Sequence, residues 1–124
     1  LARLLPAYND SLGITAAFNL NLLARINHEL GANFDLTKFQ HDARYNSHTS
    51  SIEMHLVSDV DQSVFVSHSD LEVSFHKGET IWTESCRKFK LEEVFRMAKK
   101  TGFRCKAQWV DEEWPFAISL FEVV

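Results

Sequence analysis

Glycine and proline are scarce in this chain, four and two among 124 residues. Their scarcity excludes a collagen-like or low-complexity chain. It also removes the usual phosphate cradles, because Gly13, Gly31, Gly78 and Gly102 stand alone and form neither a GxGxxG turn nor a Walker loop. Cysteine is nearly absent too. Cys86 and Cys105 make no CxxC pair and no zinc-type spacing, so they read as reduced packing residues, with no support for redox chemistry. No stretch approaches the roughly 18 consecutive apolar residues of a membrane span, and the opening LARLLPA is shorter than a signal-peptide core. A cytoplasmic protein without a membrane partner is the expectation. Positive charge is not in excess either: 13 Lys+Arg against 17 Asp+Glu leave a net −4, which argues against a phosphate-backbone footprint and against nucleic acid as a partner.

What is present describes an ordinary globular chain, 45% hydrophobic and 24% charged. A chain of this length buries roughly two thirds of its unfolded surface, enough for a core. Ile14, Phe18, Leu22, Leu23, Ile26 and Leu30 recur at helical spacing before Gly31, which predicts a helix over residues 14–30 that starts from Asp10 or Thr15. The period then changes to two. Ile52, Met54 and Leu56 mark one half-buried strand, Val64 and Val66 a second, and Leu71, Val73 and Phe75 a third. The Lys77-Gly78-Glu79 turn is expected to fold residues 71–76 onto 80–88 as a hairpin within a meander. Helical spacing returns at Leu91, Val94, Phe95 and Ala98, with Glu92 and Glu93 first and Lys99 and Lys100 last, as the helix dipole favours. That helix covers about residues 90–101. Strands near 103–110 and 115–123 follow, the second apolar on both faces, as a strand inside a sheet would be. The expected class is α+β, an antiparallel sheet with two main helices.

Six histidines invite a metal reading, but His41, His48 and His55 recur every seven residues across a loop and a strand and share no face. No metal is expected. Ser, His and Asp are all present, but a triad is recognised by geometry and not by composition. The unusual stretch is IWTESCRKF, residues 81–89. Read with strict alternation, it puts Trp82, Glu84, Cys86 and Lys88 on one face, a carboxylate between an indole and a thiol. Such a group needs water or a partner, and the plain structural reading is a rim ion pair with Lys88.

Three segments in order, AYNDSLGITAAFNLNLLARINHELGANFDLTKF, IEMHLVS and GETIWTESCRKF, together resemble the C-terminal part of the histidine-specific S-adenosylmethionine-dependent Nα-methyltransferases of ergothioneine biosynthesis. The closing KLEEVFRMAKKTGFRCKAQWVDEEWPFAISLFEV resembles the last helix and strand pair of a class I Rossmann-like methyltransferase sheet. The resemblance implies that residues 1–88 are part of a domain that binds the amino-acid substrate and that 89–124 end the cofactor domain. It implies that Tyr8 helps hold the substrate carboxylate, that Met54 lines the pocket and that Glu84 accepts a hydrogen bond from the imidazole. Cys86 stands where the family has a serine that also touches the ring.

The same resemblance implies a transferase for the intact protein, with the cofactor motif in upstream sequence that this chain does not contain. The 124 residues alone are then expected to be an inactive fragment. Two other readings remain open at this point, a stand-alone amino-acid-binding module and a degenerate interaction domain. In either reading the apolar final strand has an edge to cover, and self-association as a homodimer is expected of the fragment.

Overall fold

Asp10 starts the long helix. In a computed structural model, which describes residues 3–124, its carboxylate accepts the backbone N–H groups of Thr15 at 2.8 Å and Ile14 at 2.9 Å. Those bonds hold Asp10 down to a pKa of about 2. A short helix α1, Leu4–Tyr8, precedes the cap, and α2 runs Ile14–Leu30. Gly31 ends α2 at φ 64°, where a Cβ would lie 2.2 Å from Ser67 Oγ, and that hydroxyl donates to the Gly31 carbonyl at 2.9 Å. Only glycine allows this approach. The buried side of α2 differs from its most apolar stripe: Asn19 and Leu23 are buried, whereas Ile14 and Phe18 are 66% and 68% exposed.

Strands β1 (Phe39–Asn46), β2 (Ser51–Ser58) and β5 (Thr80–Arg87) form an antiparallel sheet in the order β1-β2-β5. Among the described residues, strands β3 (Gln62–Val66) and β4 (Leu71–Phe75) pair with each other and with no other strand, and a single bridge joins Val66 to Ala32. The expected hairpin of residues 71–76 with 80–88 is therefore corrected, and so is the meander. The turn exists, with Gly78 at φ 88° and Glu79 N–H bonded to the His76 carbonyl at 2.9 Å. It is tied to the end of β2 instead, by Gly78 N–H to Ser58 O at 2.7 Å and Ser58 N–H to Glu79 O at 2.8 Å. β2 is the central strand and is buried along most of its length, so Met54 and His55 are both enclosed although they point to opposite faces.

Leu23 of α2, Phe39, Leu56, Val64 and Phe75 form the core, where Phe34, Phe39 and Phe75 meet with ring centroids 5.5–6.3 Å apart. This unit ends at Lys88.

A second unit, Phe89–Val124, holds α3 (Leu91–Lys100) and the antiparallel pair β6 (Phe103–Val110) and β7 (Ala117–Val123). The Glu93 carboxylate accepts Lys90 N–H at 2.9 Å, capping α3. Asp111 shapes the turn between the strands by accepting Glu113 N–H and Trp114 N–H at 2.9 and 2.7 Å. Among the described residues β7 pairs with β6 alone, and Ile118 and Leu120 are 56% and 48% exposed. No helix among the described residues is long and apolar enough to cross a membrane.

Candidate functional site

The stretch IWTESCRKF is explained by a slip in pairing. Glu84 lies opposite Met54, but Trp82 lies opposite His55, so β5 carries one extra residue, Thr83, between them. This is a β-bulge, and it moves everything before it to the other face. Paired residues share a face: Glu84 with Met54, Cys86 with Ile52, and Ile81 with Leu56. Trp82 goes to the opposite side, where it stacks on His55 at 6.3 Å and 15°. The single face expected for Trp82, Glu84 and Cys86 is thus corrected: indole and carboxylate are on opposite sides of the sheet. The Thr83 hydroxyl donates to the Met54 carbonyl at 2.9 Å, satisfying the acceptor beside the slip.

On the α2 side Glu84 opens onto a cleft of about 160 Å³ lined by Phe18, Asn19, Asn21, Leu22, Arg25, Thr83 and Glu84. The exposed Phe18 and Leu22 of α2 therefore have a local role as its apolar wall. Asn19 is buried and fixed. Its amide nitrogen donates to the His55 carbonyl at 3.1 Å and meets His41 Nδ1 at 2.9 Å, so Nδ1 is the acceptor and His41 Nε2–H donates to the Tyr8 carbonyl at 2.7 Å. This chain of bonds ties α2, β1, β2 and α1 together.

Tyr8 belongs to a second cluster on the same sheet face. Lys88 Nζ donates to the Tyr8 hydroxyl oxygen and, at 3.1 Å, to Cys86 Sγ, and it lies 4.4 Å from the Tyr8 ring centroid. The rim pair of Glu84 with Lys88 is therefore replaced: the lysine serves Tyr8 and Cys86. Hydrogen bonding from Tyr8 and then from Lys88, with the lysine charge, holds the Cys86 thiol below its ordinary pKa against burial and the Glu84 charge. Burial, then the bond to Cys86, raises Tyr8. Burial works to lower Lys88, but its bonds to Tyr8 and Cys86 leave it raised.

Of the four residues singled out from sequence, Glu84 lines the cleft, Met54 lies buried directly opposite it, and Tyr8 and Cys86 sit together beside Lys88. Thr83 and Asn19 escaped the sequence reading, His41 entered it only as a rejected metal ligand and Lys88 only as a partner for Glu84. Only Lys88 carried a signal, its place two residues beyond Cys86. For the cofactor, the chain offers no fitting cradle among the described residues. Its glycines are isolated turn positions, and the other cleft, between α3 and the β6–β7 pair, is lined by Val94, Met97, Ala98, Thr101, Phe103 and Phe121 with little to bind a sulfonium nucleoside. Nor do any described residues gather three metal-ligating groups.

The chain also has relatives among known proteins. The chain is 45% identical over 118 residues to a histidine N-alpha-methyltransferase of Mycolicibacterium smegmatis, and 45% identical over 119 residues to one of Mycobacterium tuberculosis. Those matches cover 95% and 96% of this chain but 37% of each relative, so the chain spans little more than a third of their length. Residues 1–123 also match the model of the SAM-dependent, histidine-specific methyltransferases, and it is to this family that the chain belongs.

Proposed function

We propose that the intact protein transfers methyl groups from S-adenosylmethionine to the α-amine of histidine or a related amino acid with a ring N–H, and that residues 1–88 supply substrate recognition. The observation that carries this reading is the bulge at Thr83, which sets the Glu84 carboxylate into a cleft walled by Phe18 and Leu22. A flat ring can lie against that apolar wall, and its N–H finds an ionised acceptor, a charge-assisted hydrogen bond. Tyr8 holds the substrate carboxylate, with the Lys88 ammonium beside it adding opposite charge. Met54 supports the floor beneath Glu84, and Cys86 takes the position of the family's serine. The cofactor is held by upstream residues, and no step of methyl transfer is assigned to this segment. Residues 89–124 close the Rossmann-like sheet.

Calorimetry on the full-length protein with histidine, tryptophan, phenylalanine and leucine tests the reading. Histidine is expected to bind tightest, followed by tryptophan, and leucine weakest. Equal affinity for leucine and histidine would remove Glu84 from recognition.

The free edge of β7 belongs to the same proposal. It is completed by the rest of the sheet in the intact protein, and by a second copy when the 124 residues are made alone. Light scattering of that segment should give twice 14.3 kDa. A stable monomer would show that the edge is tolerated bare.

A further inference from the structure

Cys86 and Cys105 are both free and half-buried, but their surroundings differ in chemistry. Cys105 Sγ donates to the Ala107 carbonyl at 3.4 Å. Cys86 Sγ accepts from the Lys88 ammonium at 3.1 Å, and the same ammonium donates to the Tyr8 hydroxyl oxygen, which sets the phenol beside the thiol. The ammonium is itself fixed, because the Lys88 backbone N–H is bonded to the Ser50 carbonyl at 2.7 Å and the side chain lies over the Tyr8 ring. Three titratable groups thus meet at one point. A cation held at the sulfur stabilises its anion, and a partly exposed thiolate beside a lysine is the setting in which cysteines react.

We propose that Cys86 is a reversible modification site that exchanges with small disulfides under the control of Lys88 and Tyr8. In the exchange the Cys86 thiolate attacks one sulfur of the disulfide R–S–S–R, a new S–S bond joins Cys86 to R–S, and the old one breaks. The displaced thiolate leaves and takes a proton from solvent. Cys86 is oxidised and the disulfide is reduced, and an added thiol reverses the step.

The consequence for substrate rests on the proposed function. Tyr8 has one proton to donate, so the Cys86 thiolate and a bound amino-acid carboxylate compete for it. Occupancy by histidine therefore returns Cys86 toward the thiol and slows its exchange. A cap on Cys86, two positions from Glu84 on the same sheet face, obstructs histidine in turn.

The test uses the full-length protein and the uncharged probe bis(2-hydroxyethyl) disulfide, with adducts at Cys86 and Cys105 quantified by peptide mass spectrometry. Cys86 is expected to be capped roughly tenfold faster than Cys105 at neutral pH, with a rate midpoint below the value of about 8.5 for an ordinary cysteine. Lys88→Gln and Tyr8→Phe should each slow Cys86 severalfold and leave Cys105 unchanged, while Lys88→Arg, which keeps the charge, should retain most of the rate. Equal rates at the two cysteines, or a Cys86 rate indifferent to both Lys88→Gln and Tyr8→Phe in folded protein, overturns the proposal. Histidine protection is read separately. Fast, Lys88-dependent capping that histidine fails to slow supports the modification site and counts against the substrate reading alone.

Discussion

Glu84→Ala in the full-length protein is expected to weaken histidine binding by roughly 10- to 150-fold, the loss of about 1.5–3 kcal/mol carried by a hydrogen bond to a charged group. Leucine binding should be nearly unchanged, since an aliphatic side chain gains nothing from a carboxylate. The effect belongs to the substrate complex. In the free protein Glu84 is exposed and its water is cheap, but a ring seated against Phe18 and Leu22 removes that water and leaves the carboxylate dependent on the ligand's N–H. Cys86→Ser acts in the other direction. A serine hydroxyl can accept from Lys88 and still donate to the second ring nitrogen, whereas the Lys88 contact draws the cysteine away from donating. That variant should tighten histidine binding by about 1 kcal/mol, the net value of one neutral hydrogen bond. Titration of both variants with histidine and leucine decides the matter, and a Glu84→Ala protein that still prefers histidine over leucine by the wild-type ratio would show that selection lies elsewhere.

The magnitude depends on a bulge that composition does not announce. Neither glycine nor proline marks residues 82–84, and the slip is visible only once β5 is set against β2. Read with strict alternation, the sequence places Trp82 beside Glu84. Pairing places it against His55 on the other face. The same limit explains the missed partner of β4. A Lys-Gly-Glu turn says that the chain reverses, not which strand receives it, and here the turn is anchored to Ser58 while its two flanks join different sheets. Strand β1 was invisible for a related reason. On its core-facing side Phe39, Ala43 and Tyr45 alternate properly, but His41 interrupts them, because its ring is needed between Asn19 and the Tyr8 carbonyl. The two long helices are legible, since α2 and α3 carry their stop signals within the local sequence, Gly31 and the Thr101-Gly102 pair, whereas the short α1 has no such signal. Local signals survived the change of context, and pairings between distant segments did not. Family motifs alone put Met54 and Glu84 in one site; the sheet pairs the two directly, although only Glu84 lines the cleft.

Leu56→Ala should destabilise the first unit by about 2–5 kcal/mol, the range for removing a buried leucine side chain. Leu56 is 0% exposed and packs with Leu23, Phe39, Val64 and Phe75, which come from α2, β1, β3 and β4. Such a site has little freedom to collapse, because its neighbours belong to elements held by other contacts, so the cavity persists and its cost adds to the lost transfer free energy. Leu56 is also paired with Ile81, one residue before Trp82, and it shares a sheet face with Met54. Its contact therefore helps fix the register from which the bulge starts. Leu12→Ala is the matched comparison: at 83% exposure the same truncation should change stability by no more than about 0.5 kcal/mol. Denaturant unfolding of the full-length variants, followed by hydrogen exchange of the β2 amides, separates the two. A Leu56→Ala protein within about 1 kcal/mol of the wild type would mean that α2 and the β3–β4 pair close over the gap, and the geometry that positions Glu84 would then rest on the hydrogen bonds of Asn19 and Thr83 more than on this core.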